Sequence, residues 1–159
     1  MPLTHFDEEG RSRMVDVTEK SETVREAIAE GFIEMAPETL QLLVDGKMAK
    51  GRNVFEVARV AAVMAVKQTH NLIPMCHPLQ ITGVDVYFTP DKEKSKVDIQ
   101  VKVKMAGKTG VEMEALTGVS IAALTLYDMC KAVDKNMVMG DIKVMKKTGG
   151  KSGTYIREQ

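Results

Sequence analysis

The stretch Lys96-Val-Asp-Ile-Gln-Val-Lys-Val-Lys-Met105 decides the fold class, because polar and apolar side chains alternate along it without a break. Successive side chains of a β-strand point to opposite faces of its sheet, so this pattern predicts a strand with one face in the core and the other in solvent. The residues expected on the core face are Val97, Ile99, Val101, Val103 and Met105.

Three further strands are predicted around this one. Residues 82–88 alternate in the same way, and the polar segment 89–95 that comes after them predicts an antiparallel hairpin with the first strand. Alternation after Met137, as far as Val144, predicts a strand near the end of the chain. Residues 24–35 fit either a weak helix or a strand, and the surrounding pattern favours the strand.

Two long helices and a short one are predicted between the strands. Asn53 is a good N-cap for a helix that runs to about Gln68. Gly110 opens a second helix, from about 112 to 133, and Pro37 opens a shorter one that ends at about residue 46.

The resulting order is βαββαβ, which is typical of a ferredoxin-like α+β fold with a four-stranded antiparallel sheet and helices packed on one face. A chain of 159 residues is the size of one ordinary domain. We assign residues 21–147 to a single catalytic domain. Residues 1–20 lack periodicity and residues 148–159 begin with small flexible types, so both segments are predicted to be flexible.

The helix that begins after Asn53 is apolar on nearly every side between Val54 and Val66. A helix with so little polar surface needs cover on two sides. We expect the chain's own sheet to cover one side and a second copy of the chain to cover the other, with burial inside one chain as the alternative.

Composition excludes several classes of protein. The 22 basic and 22 acidic residues give zero net charge, so no global field attracts nucleic acid or an anionic membrane. We find no apolar stretch long enough to cross a bilayer and no secretion signal, and the two cysteines form no CxxC. We therefore expect a cytoplasmic protein that contacts neither membrane nor nucleic acid.

Helical spacing predicts that Glu114, Asp128 and Lys131 share one face of the long helix. A solvated face with an ordinary Asp–Lys pair is the alternative interpretation. Small and apolar residues lie between the charges, Gly118 among them, and such residues leave room for a ligand or a partner backbone.

His77 lies in a segment that two prolines make stiff, Ile73-Pro-Met-Cys-His-Pro78. A histidine held in this way suits proton transfer near neutral pH, although a structural turn with a surface histidine fits equally well. Cys76 and His77 are adjacent, and the other histidines and cysteine show no metal-ligand spacing, so we predict no metal site.

Two Gly-Lys pairs, at Gly107-Lys108 and Gly150-Lys151, resemble fragments of a phosphate loop. The complete motif is excluded, because the position of its first glycine holds Lys102 in one case and Met145 in the other. Lysines beside flexible glycines remain compatible with phosphate contact.

Four blocks of sequence carry a resemblance: Leu72-Ile-Pro-Met-Cys-His-Pro-Leu79, Gly107-Lys-Thr-Gly-Val-Glu-Met-Glu-Ala-Leu-Thr117, Leu126-Tyr-Asp-Met-Cys-Lys-Ala-Val133 and Lys147-Thr-Gly-Gly-Lys-Ser-Gly153. Together they resemble the MoaC family of molybdenum cofactor biosynthesis, over about residues 14 to 153. This resemblance implies a lyase that converts (8S)-3′,8-cyclo-7,8-dihydroguanosine 5′-triphosphate to cyclic pyranopterin monophosphate and releases pyrophosphate. It also implies no cofactor, a substrate made by a radical-SAM GTP cyclase, and a homohexamer built as a trimer of dimers with sites at subunit interfaces.

The resemblance also implies roles for individual residues. The implied catalytic residues are Asp128, Lys131 and Lys50. The implied pocket residues are Met75, Cys76, His77, Glu112, Met113 and Glu114. The residues implied to contact the triphosphate are Arg25, Lys67, Lys108, Lys147 and Lys151. One departure from the family pattern is Arg52, which separates Lys50-Gly51 from Asn53-Val54 and makes Arg52 a candidate for part of the role of Lys50.

A non-enzymatic module that binds a nucleotide or RNA is the competing class. Sheets that bind RNA stack bases on aromatic side chains, and this chain has four phenylalanines, three tyrosines and no tryptophan. RNA binding is therefore disfavoured, whereas a regulatory nucleotide-binding module stays open.

Overall fold

The computed structural model describes residues 3–46 and 53–158. Five strands and three helices succeed one another along the chain: β1 (Thr23–Glu34), α1 (Pro37–Val44), α2 (Val54–Leu72), β2 (Gly83–Asp91), β3 (Lys96–Gly107), α3 (Glu112–Cys130), β4 (Val138–Thr148) and β5 (Tyr155–Ile156). The strands form one antiparallel sheet in the order β2-β3-β1-β4-β5, so the α+β class is confirmed.

The prediction of a four-stranded sheet was incomplete. A fifth strand, β5, pairs Ile156 with Lys146 and Tyr155 with Lys147 along the outer edge of β4. Arg157 adds to this pairing, because its backbone N–H donates to the carbonyl oxygen of Met145 at 2.8 Å. Sequence reasoning missed β5 because a two-residue strand is too short to show alternation.

The helix starts were predicted well and the ends less well. The side chain of Asn53 accepts a hydrogen bond from the backbone N–H of Phe55 at 3.0 Å, as an N-cap does. However, α2 continues to Leu72, and α3 ends at Cys130 rather than residue 133. Beyond α3 the chain turns, and the carboxylate of Asp134 accepts a hydrogen bond from the backbone N–H of Ala36 at 2.9 Å, just before α1.

Both long helices pack on the same face of the sheet, where the predicted core residues of β3 lie. Gly118 makes this packing close, because a Cβ at that position would lie 2.9 Å from Val66 of α2 and 3.0 Å from Val101 of β3. The space beside Gly118 is therefore filled by the chain's own core, and our expectation of room there for a ligand was wrong.

One side of α2 remains uncovered in the single chain. Val57, Val60 and Met64 are 41%, 58% and 59% exposed, whereas Ala58 and Ala62 on the opposite side are fully buried. Leu124 of α3 is 50% exposed. We call Val57, Val60 and Met64 the apolar stripe of α2. Among the described helices, none combines the length and the apolar character that crossing a membrane requires.

Candidate active site

The proline-bracketed loop and the start of α3 enclose a cavity of about 300 Å³, which we call the acid–base cavity. The two motifs converge because α2 ends just before this loop and packs alongside α3. The predicted pocket residues that line this cavity are Met75, Cys76, His77, Glu112, Met113 and Glu114.

Glu114 is the buried acid of this cavity, with only 4% of its surface exposed. Burial raises the pKa of Glu114 to about 7, and the negative charge of Glu112 adds to the rise, while the residue's own backbone N–H acts against it. A carboxyl group with a pKa near neutrality can both donate and accept a proton at physiological pH.

Cys76 and His77 face the same space from the loop. Burial raises the pKa of the Cys76 thiol, and the charge of Glu114 raises it further, so the group is a thiol at neutral pH. The Nε2 atom of His77 lies 2.6 Å from the carbonyl oxygen of Val15. The cavity therefore brings three proton-carrying side chains together.

A second cavity, of about 370 Å³, lies next to the first, and we call it the anion cavity. Its cationic side chains are Lys20, Arg25, Lys147 and Lys151. Glu112 is the acidic residue among its lining. The hydroxyl of Thr23, another lining residue, is buried without a hydrogen-bond partner among the described residues.

Arg25 is the best evidence for an anion in this cavity. It is only 6% exposed, and its Nε atom donates to the carbonyl oxygen of Gly107 at 3.1 Å. Across the described residues, no carboxylate lies within ion-pair distance of its guanidinium. A buried cation without a counter-ion is costly, so this position favours an anionic ligand.

The two cavities are adjacent and share part of their walls. Lys20, Thr109, Gly110 and Glu112 line both of them. At the junction, Nζ of Lys147 lies 2.8 Å from a carboxylate oxygen of Glu112, an ion pair whose angle is poor for a hydrogen bond. A ligand with an anionic end and a reacting end fits this arrangement.

The Asp128–Lys131 pair lies at the other end of α3. Lys131 Nζ donates to Asp128 at 2.6 Å, and this hydrogen bond raises the pKa of the Lys131 ammonium. Glu112 and Asp128 are sixteen residues apart, which on an α-helix is about 24 Å. Helical spacing still directs Glu114 and Asp128 to one side of α3, but Glu114 is buried in the acid–base cavity while the Asp128 side chain is 64% exposed.

Comparison with known proteins decides the family. Residues 14–150 match the MoaC family. The chain belongs to this family. Proteins named cyclic pyranopterin monophosphate synthase are similar over nearly the whole chain: that of Heliobacterium modesticaldum is 61% identical over 99% of both chains, and that of Thermoanaerobacter pseudethanolicus is 59% identical over 99% of both. The corresponding protein of Pelotomaculum thermopropionicum is 57% identical over 98% of this chain and 91% of its own.

Two lysines that the resemblance to the MoaC family singled out, Lys67 and Lys108, lie outside both cavities, and a third is not among the described residues. Lys50 falls outside the described residues, as does Arg52. Lys67 lines a separate groove between α2 and the start of β2. Nζ of Lys108 donates to the carbonyl oxygen of Thr18 at 3.2 Å, and this side chain lines neither cavity.

Sequence reasoning missed the contribution of the N-terminal segment to this MoaC-family site. Thr4, His5, Val15 and Val17 line the acid–base cavity, and Lys20 lines both cavities. No periodic signal marks residues 3–20, so nothing in the sequence pattern could have placed them there. Whether the segment is mobile in solution stays a prediction. Among the described residues, no group of three or more His, Cys, Asp or Glu side chains is arranged to hold a metal ion.

Proposed function

We propose that this MoaC-family chain is a lyase that converts (8S)-3′,8-cyclo-7,8-dihydroguanosine 5′-triphosphate to cyclic pyranopterin monophosphate, with release of pyrophosphate. Its relatives, which match over almost their entire length, carry the name of that synthase. The reaction is an early step of molybdenum cofactor biosynthesis, and we expect it to take place in the cytoplasm.

The observation that carries this proposal is the pair of adjacent cavities, which share part of their lining. The anion cavity offers Arg25, Lys147 and Lys151 to a triphosphate, and the acid–base cavity offers Glu114 and His77 to the rest of the molecule. A substrate with a phosphate chain on a nucleoside-like body has one part for each cavity: the phosphates for the anion cavity and the ring system for the acid–base cavity. The cavities together therefore match the substrate class as well as the reaction type.

Proton transfer and charge stabilisation are what this reaction needs from the protein. Opening and reclosing a purine-derived ring requires staged proton transfers, for which Glu114 has a pKa near neutrality. The departing pyrophosphate gains negative charge, and cations fixed around the anion cavity stabilise it. Arg25 presents a planar fork of N–H donors that suits phosphate oxygens.

Asp128 and Lys131 reach the cavities from a second protomer in this proposal. Asp128 lies about 24 Å from the start of its own α3 and Lys131 lies three residues further along, so they cannot serve their own cavity. The apolar stripe of α2 and the exposed Leu124 support association, because a second copy would bury them. We propose a homohexamer built as a trimer of dimers, with each site shared between subunits and with Lys50 as a further catalytic residue.

Two finer statements complete the proposal. Strands β1 to β4 with α2 and α3 form a ferredoxin-like unit, to which α1 and β5 are additions. The substrate comes from a radical-SAM GTP cyclase, which makes that enzyme a functional partner without requiring a stable complex.

The test is turnover of the purified protein with the cyclised dihydro-GTP. We expect release of pyrophosphate by the wild type, and a loss of at least about a hundredfold in Asp128→Ala, as removal of a general acid or base causes. Asp98→Ala is the control, because Asp98 also forms an ion pair with a lysine, Lys96 at 3.0 Å, but on the other face of the sheet. Binding without turnover by the wild type would instead identify a regulatory nucleotide-binding module.

A further inference from the structure

The N-terminal segment, residues 3–22, lies across the acid–base cavity. Thr4, His5, Val15, Val17 and Lys20 contribute to its lining. The segment has its own local structure, since Phe6 and Ser12 form an isolated antiparallel bridge. It is therefore a wall of the cavity and not a tail beside it.

The contact between this segment and the site is a hydrogen bond to a ring nitrogen. Nε2 of His77 lies 2.6 Å from the carbonyl oxygen of Val15. A carbonyl oxygen can only accept, so Nε2 must carry the hydrogen in this contact. A neutral imidazole then has its lone pair on Nδ1, for which the described residues provide no hydrogen-bond partner.

We propose that the backbone carbonyl of Val15 is a positioning group for the reaction, because it selects the tautomer of His77 that leaves Nδ1 free to accept a proton from the substrate. This inference rests on the proposed function for the identity of the substrate. The tautomer itself does not depend on that identity.

Asp16 holds the carbonyl of Val15 in place. Its Oδ1 atom accepts hydrogen bonds from the backbone N–H and the hydroxyl of Thr18, at 2.9 and 2.6 Å, which closes a tight turn directly after Val15. The carbonyl oxygen of Thr18 in turn accepts from Nζ of Lys108. The segment is thus tied to the loop between β3 and α3, three residues after its contact with His77.

The same contact would form if the carbonyl of Val15 had only a structural role and no effect on the reaction. The two interpretations predict different results for a protein in which the contact is lost. If the carbonyl selects the tautomer, the proton redistributes between Nδ1 and Nε2 and turnover falls. If it does not, the tautomer stays as it is.

The experiment reads the tautomer directly, by ¹⁵N NMR of the full-length protein labelled at histidine, with His77→Gln to assign the signals. We expect His77 of the wild type to carry its proton on Nε2 when the ring is neutral. Asp16→Ala, and a chain lacking residues 2–15, should both show a larger share of the Nδ1–H form. Asp7→Ala is the control, since Asp7 closes a similar turn in the same segment through the N–H groups of Glu9 and Arg11, away from His77.

Turnover supplies the second readout. We expect kcat to fall about tenfold in both test variants, with pyrophosphate affinity within about twofold of the wild type, because the anion cavity is left intact. A wild-type His77 that carries its proton on Nδ1 overturns the inference, as does an unchanged tautomer in both test variants. A wild type with the Nε2–H tautomer but no turnover contradicts the proposed function and leaves the tautomer result standing.

Discussion

Glu114 connects the stability of this protein to its chemistry. A carboxyl group in water loses its proton well below neutrality, but burial raises the pKa of Glu114 to about 7. The folded state therefore holds a proton that the unfolded state has released between about pH 4.5 and 7. Wherever the folded state binds more protons, the free energy of unfolding decreases as the pH rises.

Replacing Glu114 with its amide removes the contribution of this residue to the pH dependence of the free energy of unfolding. In Glu114→Gln, we expect the free energy of unfolding relative to the wild type to increase by about 2–3 kcal/mol between pH 4.5 and pH 8, since a pKa unit corresponds to about 1.4 kcal/mol. The same variant should lose kcat by a factor on the order of 10², as expected for a general acid or base. Urea denaturation at both pH values, at fixed protein concentration, measures the stability change.

Glu93→Gln provides the comparison for this prediction, because Glu93 is exposed in the loop between β2 and β3. The free energy of unfolding of Glu93→Gln relative to the wild type should not change with pH beyond experimental error. A Glu114→Gln variant that tracks the wild type at both pH values would mean that Glu114 titrates normally, and the acid–base role would lose its basis.

Single residues show both the reach and the limit of sequence reasoning. The stiff loop around His77 and the acids at the start of α3 were predicted, and the structure places them in one cavity. Helical spacing put Glu114 and Asp128 on one face, yet one is buried and the other exposed. Periodicity reports the direction of a side chain around its own helix, whereas burial depends on what packs against each turn.

The turn between β4 and β5 packs against the side chain of Arg25. Gly149, Gly150 and Gly153 all have positive φ, at 96°, 78° and 68°. Gly150 and Gly153 differ in the space around them. A Cβ at Gly150 would collide with Nη1 of Arg25, whereas a Cβ at Gly153 would meet nothing within 4 Å. Gly150 is thus the position where the backbone of the turn packs against the guanidinium of Arg25.

This contrast defines a matched pair of variants. Gly150→Ala should weaken the binding of inorganic pyrophosphate about tenfold, because the guanidinium of Arg25 must move, whereas Gly153→Ala should stay within about threefold. Both substitutions place a Cβ at positive φ, at a cost of about 1 kcal/mol in stability, so backbone strain is common to the pair. Titration calorimetry measures the affinities. Equal losses in both variants would attribute the effect to the backbone and not to Arg25.

Elements with a strong periodic signal were predicted closely. The alternation of residues 96–105 gave the core face of β3, and Asn53 marked the start of α2. The sequence could not reveal β5, because a strand of two residues depends on the edge of β4 that receives it. The extra turn at the end of α2 was missed for a related reason. The helix propensity of these residues does not decide their structure, and tertiary contacts keep them helical.

At the scale of the whole molecule, α3 separates two parts of the proposed site. Its start lines both cavities and its end carries the Asp128–Lys131 pair. If two protomers share each site, inactive variants should complement one another. We expect His77→Ala and Asp128→Ala, each inactive alone, to regain about a quarter of wild-type activity after co-refolding in equal amounts, because random pairing leaves about that fraction of shared sites with both residues.

The control for this experiment is a mixture of Asp128→Ala with Lys131→Ala. Those residues lie in the same pair, so no arrangement of subunits restores it, and the mixture should remain inactive. Activity measured after co-refolding, with subunit assembly checked by light scattering, decides the outcome. Failure of the first mixture to recover activity, despite mixed assembly, would place each site within one chain.

The uncovered side of α2 was predicted from sequence, because an apolar helix with almost no polar face cannot be satisfied by one sheet. The number of subunits and their arrangement cannot be deduced from such a pattern. An apolar surface indicates that something covers it, but its symmetry depends on the shape of both partners.

The length of α3 constrains the geometry of the proposed site. Because the start of α3 lines both cavities and its end carries the Asp128–Lys131 pair, the number of residues in the helix fixes the distance and the angle between these two groups. A single inserted residue would lengthen it by about 1.5 Å and rotate one end by about 100° relative to the other. Length variation over evolutionary time should therefore accumulate in loops, while the residue count between Glu112 and Cys130 stays constant.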